Sequence, residues 1–72
     1  MNAINSMGCA EHLTPEALAR RLHLSLSTIY AWRVKNVGPR GFRVGKHIRY
    51  RLVDVEAWEQ EQLDKEHEKD AA

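Results

Sequence analysis

Arginine and lysine carry the chemistry this sequence can do. Nine of them, Arg20, Arg21, Arg33, Lys35, Arg40, Arg43, Lys46, Arg49 and Arg51, fall between positions 20 and 51, and no Asp or Glu interrupts them. From Asp54 to Asp70 the balance reverses, with eight acids against Lys65 and Lys69. The net charge of +1 therefore conceals a segregated field. A concentrated cationic stretch attracts a polyanion, which its acidic neighbour would repel. The chemistry indicated is charge-assisted contact to phosphate rather than the making of bonds.

Other reactive side chains are sparse and badly spaced. Ser25, Ser27 and Thr28 have no His or Asp at motif spacing, and the carboxylates gather in one solvated helical segment. No Gly-rich phosphate cradle precedes a helix. His12, His23, His47 and His67 lack metal-ligand spacing, and Cys9, the single cysteine, supplies neither a disulfide nor a second thiolate. No catalytic, cofactor or metal site is expected. With 72 residues, the chain makes one domain at most, and its core is thin. No apolar run approaches the roughly 18 residues of a membrane span. The opening MNAINSMGCAEH has neither a basic cluster nor an apolar h-region, so a cytoplasmic protein is expected.

Three elements must position the cations. Leu13-Thr14-Pro15-Glu16 spells a helix start: Thr14 caps, Pro15 fits the first helical position, and Glu16 suits the positive end. Leu18, Ala19 and Leu22 follow at helical spacing, giving a first helix over about 15–22. Ser25 caps a second helix, and Leu24 with Ile29 forms a hydrophobic staple across that cap. Ile29 and Trp32 share its inner face, leaving Ser27, Thr28, Ala31 and Arg33 largely outward. Ser27, Thr28 and Ala31 are small enough to let the backbone approach a groove, while Arg33 and Lys35 suit phosphates. Tyr30 either offers its hydroxyl to a phosphate or lies half-buried beside the core. Leu26 either touches a thymine methyl or folds back on the scaffold.

Gly38-Pro39 ends this helix, and a β-hairpin follows. A two-residue Gly45-Lys46 turn would pair Val44 with His47 and Phe42 with Arg49, mixing apolar and charged residues on one face. A three-residue Gly45-Lys46-His47 loop pairs Val44 with Ile48 and Phe42 with Tyr50, sending Arg43, Arg49 and Arg51 to the opposite face; this register is expected. Phe42 then joins Trp32 and Trp58 in the core. The cationic tip, with Arg43, Lys46, His47 and Arg49, would lie on the phosphate backbone or in a minor groove. A last helix starts near Leu52-Val53-Asp54, with Val55, Trp58 and Gln62/Leu63 on one stripe and fraying expected beyond Leu63.

The run LTPEALARRLHLSLSTIYAWR, followed by FRVGKHIRYRLVDVEAWE, resembles the excisionase and MerR-type DNA-binding family over roughly residues 13–60. The resemblance implies a mainly α winged helix-turn-helix with a small β-hairpin. With the periodicity of the residues, the chain is expected to divide into a flexible lead (1–12), the DNA-binding domain (13–63) and a frayed acidic tail (64–72). A MerR-type regulator would continue into a coiled coil and an effector domain, so the likeness is to phage excisionases, of the small mycobacteriophage type. It implies binding and bending of double-stranded attachment-site DNA in a bacterial host cell, with a tyrosine integrase and neighbouring copies as partners. By matching positions, Ser27, Thr28, Tyr30, Ala31 and Arg33 become the major-groove set, and Arg43, Lys46, His47 and Arg49 the wing set. His23 stands where this turn usually carries Gly, a place it can fill at modest cost if φ is positive. Leu26 departs from the usual polar residue. A small transcriptional regulator would use the same module, and an adaptor working through its acidic helix is a further reading.

Overall fold

The computed structural model describes residues 11–71, with side chains described as far as Glu68. The expected lead lies outside the described residues up to position 10. Among the described residues the order is β1 (His12–Leu13), α1 (Pro15–Leu22), α2 (Leu26–Lys35), β2 (Gly41–Val44), β3 (His47–Arg51) and α3 (Leu52–Ala71). Three helices and a small antiparallel sheet of order β1-β3-β2 make a winged helix-turn-helix.

Local signals set both short helices. The Thr14 hydroxyl accepts from the Ala17 N–H at 3.0 Å, with Pro15 in the first turn. The Ser25 hydroxyl accepts from the Thr28 N–H at 3.3 Å. Each helix then ends on a left-handed residue, His23 and Asn36, both at φ 58°. The His23 N–H donates to the Arg20 carbonyl and the Leu24 N–H to that of Ala19, at 3.2 and 2.9 Å. Asn36 and Val37 repeat this on Arg33 and Trp32, at 3.3 and 3.0 Å. These paired bonds are Schellman closures. α2 therefore stops at Asn36, before Gly38-Pro39. Leu24 serves the first closure and remains 41% exposed rather than packing inward as a staple.

The core joins Leu18 and Ala19 of α1, Ile29 of α2, Tyr50 of β3 and Val55 of α3. Leu13, Leu22, Trp32 and Ile48 pack partly buried against it. Trp32 and Trp58 are half-buried rather than enclosed, with ring centroids 5.4 Å apart. β1, whose His12 belongs to the expected lead and whose Leu13 to the expected helix start, pairs His12 with Arg51 and Leu13 with Tyr50. The Leu52 N–H donates to the Glu11 carbonyl at 2.9 Å, continuing that edge into α3.

The hairpin register differs from the expected one. Val44 pairs with His47, Arg43 with Ile48, Phe42 with Arg49 and Gly41 with Tyr50, so the turn is the two-residue Gly45-Lys46. Of the two turn residues, Gly45 alone has positive φ, at 62°, the pattern of a turn with glycine first. The inner face carries Leu13, Gly41, Arg43, Ile48 and Tyr50. The outer face carries His12, Phe42, Val44, His47, Arg49 and Arg51. Phe42 is therefore not core: it is 38% exposed and meets His12 edge-on at 5.8 Å. Arg43 separates from Arg49 and Arg51 and shares the face of Ile48. Mixed faces are tolerated because β3 buries one large side chain, Tyr50, and Gly41 makes room for it. A Cβ at Gly41 would stand 2.7 Å from a Tyr50 ring carbon.

α3 is fastened at two points. Arg21 of α1 grips Glu59 through two bonds of 2.6 and 2.8 Å, and Arg51 holds Asp54 at 2.9 and 3.2 Å. The bond from Arg21 keeps the Glu59 carboxyl below its usual 4.5, against an opposing effect of burial. Helical geometry then runs to Ala71, through the segment expected to fray.

Two outcomes follow from this packing. Gly41→Ala should cost about 1–3 kcal/mol in urea unfolding, because the new methyl meets a ring that cannot retreat. In the three-residue register Gly41 would face away and the change would be near neutral. Glu59→Gln should cost about 1 kcal/mol or less, the pair being partly exposed. Since folding lowers this acid's pKa, the stabilisation is present above the usual 4.5 and fades as pH falls through the lower folded value. An unfolding series from pH 7 to 3 should show the variant losing less stability than the parent.

Candidate nucleic-acid interface

A recognition surface needs a helix whose outward side chains are not required by the core. In α2, Ile29 is fully buried and Trp32 half-buried. At 100° per residue the opposite side falls on Ser27, Tyr30, Ala31 and Val34, at i, i+3, i+4 and i+7. All four are exposed, as is Lys35. Tyr30, left open by the sequence, is 45% exposed. Leu26 is half-buried, on the scaffold side of its two alternatives.

Thr28 and Arg33 sit differently from the expected outward set. Both are half-buried, on opposite flanks of the helix. The Thr28 hydroxyl lies 2.9 Å from the Ser25 hydroxyl, and that of Ser27 lies 3.1 Å from it, a cluster that closes the helix start. Arg33 leans toward the sheet, where its charge partly offsets the upward push that burial gives the Tyr50 hydroxyl from its usual 10.0. With Arg40, which the sequence reading left outside the candidate sets, Arg33 borders an open recess of about 180 Å³ below the end of α2.

The wing presents its cations unevenly. Lys46 and His47 are exposed at the tip, and Arg43 is exposed on the inner face. Arg49 is half-buried, its guanidinium donating to the Ile48 carbonyl at 2.8 Å. Arg21 and Arg51 are committed to Glu59 and Asp54. The other seven of the nine cations enter no ion pair among the described residues. Positive charge is thus left available around α2 and the wing. No group of three or more His, Cys, Asp or Glu suited to a metal occurs among the described residues. No helix among them is long and apolar enough to cross a membrane.

A capped helix pair, a recognition helix with a free outer strip and a basic wing define a DNA-binding module. The family model of the helix-turn-helix domain matches residues 13–63, and the chain belongs to that family. No curated protein and no solved structure matches the chain significantly. Fold and family together support sequence-specific binding of double-stranded DNA.

Lys46→Ala should weaken binding to every duplex about equally and lower the salt slope, log K against log[salt], by about 1. Arg51→Ala should leave the slope unchanged, since Asp54 already holds that charge. Fluorescence anisotropy across a sodium chloride series measures both. Loss of preference at a single base pair in Lys46→Ala would assign the tip to base reading instead.

Proposed function

We propose that this protein is an excisionase-type architectural factor. It binds attachment-site DNA, bends it through adjacent copies, and directs a phage tyrosine integrase toward excision inside the bacterial host. The family to which the chain belongs includes excisionase-like DNA-binding proteins, and the motif resemblance runs through the wing into DVEAW. The observation that carries the reading is the segregation of charge on so small a module: unpaired cations around α2 and the wing, and exposed acids along α3. In the major groove, Ser27, Tyr30 and Ala31 face the bases, with Lys35 and flanking Thr28 and Arg33 beside the phosphates. Arg43, Lys46, His47 and Arg49 set the wing on the backbone.

One recognition helix and one wing bury only about 600–1,000 Å² of protein surface. Bending 20–30 base pairs by 40–90° costs on the order of 1–6 kcal/mol, which further contacts must offset. Neighbouring copies supply them, the basic middle of one facing the acidic helix of the next. Such a contact joins unlike surfaces and extends as an open array. On attachment-region duplexes a gel-shift ladder with cooperative steps is expected, and circular permutation should show a bend. One saturable complex on unbent palindromic DNA would instead make the protein a small transcriptional regulator.

A further inference from the structure

Val34 is 84% exposed, more than any other exposed large apolar residue described. Nothing in the fold accounts for it. It is absent from the core and from the partly buried side chains packed on it. A β-branched residue at an exposed helical position is less favourable to the helix than alanine. Its angular position aligns it with Ser27 and Ala31, which makes an outward strip with a hydroxyl at one end, a methyl in the middle, two methyls at the other end and no formal charge. From Ser27 to Val34 the strip runs about 10 Å along the helix axis. That length spans roughly three base-pair steps of 3.4 Å. Cations border the strip: Lys35 on one side and Arg33 on the opposite flank.

An uncharged, part-apolar strip between phosphate-seeking cations complements one feature of the major groove, the C5-methyl of thymine. Guanine would call for an Arg or Lys in the strip, and adenine for an Asn or Gln; the strip has none of these. Leu26, the residue whose position at the helix start first suggested methyl contact, is half-buried and turned away from this role.

We propose that Val34, with Ala31 beside it, reads thymine methyl groups and is a specificity-determining residue of α2. This rests on the DNA-binding reading and adds the base chemistry to it. The selected site contains thymine at one or two positions opposite Val34, and recognition there depends on the methyl rather than on hydrogen bonding.

Duplexes enriched from a random-sequence library by the full chain provide the probe. Each thymine is then replaced singly by deoxyuridine, which removes the methyl and leaves every hydrogen-bonding group in place. At the positions Val34 reads, affinity should fall about fourfold per methyl, the factor equivalent to one buried methylene-sized group. Val34→Ser should bind thymine and uracil duplexes equally at those positions, with unchanged melting temperature, while Val34→Ile should keep the discrimination. Uniform tolerance of deoxyuridine, or equal losses in the parent and Val34→Ser, would overturn the assignment while leaving DNA binding intact. Failure to bind any duplex at low salt would sink the DNA-binding reading itself and the assignment with it. A Val34→Ser protein that loses cooperativity between copies but keeps thymine discrimination would move Val34 to a protein contact and overturn the proposal.

Discussion

The contact between the Tyr50 ring and the bare Cα of Gly41 governs more of this structure than any other. Tyr50 is the residue by which the sheet enters the core, 1% exposed beside Leu18, Ile29 and Val55. A slip of one residue in β3 would turn Arg49 or Arg51 inward, and a buried, unpartnered guanidinium costs several kcal/mol. The face that β3 turns inward is therefore decided by which of its residues can be buried. Gly41 then must stand opposite, because any side chain there collides with the ring. The two-residue turn follows from this pairing, and Gly45 supplies the positive φ it needs.

The helices depend on their ends to an unusual degree. Segments of eight and ten residues are too short to be stable alone in water. Each has a hydroxyl cap at its start and a Schellman closure at its end, and neither closure uses glycine. His23 and Asn36 hold the left-handed conformation with side chains attached, at a cost on the order of 1 kcal/mol for His and less for Asn. Packing of Ala19 and Ile29 in the common core offsets that cost. It also holds α2 at the angle from which its outer strip is free to meet a partner.

What could be read in the sequence divides along the range of the forces involved. Thr14, Pro15, Ser25 and His23 act within a turn of themselves, so both helices were placed correctly and the left-handed His23 was foreseeable from its place in the motif. The hairpin was visible as an element but not in register, because alternation treats every apolar residue as equally worth burying. Tyr50 faces inward in either register; what stands opposite its ring is Gly41 rather than Phe42, and Phe42 and Val44 lie on the outer face. β1 could not be seen in two residues, His12 and Leu13, whose strand exists only through its partner β3. The continuation of α3 past Leu63 lacks any apolar signal; i, i+4 contacts such as Gln60 with Asp64, at 3.0 Å, are its local support. In the interface the exposed cations were legible from charge alone. The half-buried seats of Thr28, Arg33 and Arg49 were not, since each depends on a neighbour that only folding brings close.

The same turn of helix has to hold the fold and leave a surface free, and in α2 these tasks alternate residue by residue. Ile29 and Trp32 bind the helix to the core, so Tyr30 and Ala31, between them in sequence, are carried to the far side. Substituting a larger residue on the outward strip would change what it can meet without touching the core. Substituting an inward residue would rotate or loosen the strip as a whole. The ion pairs sort the cations in a similar way. Arg21 and Arg51 are taken up in fastening α3, an acidic helix that would otherwise repel the partner the remaining cations attract. The acids of α3 thus hold the helix to the domain in its first half, through Asp54 and Glu59, while Glu61, Asp64, Glu66 and Glu68 further along are exposed.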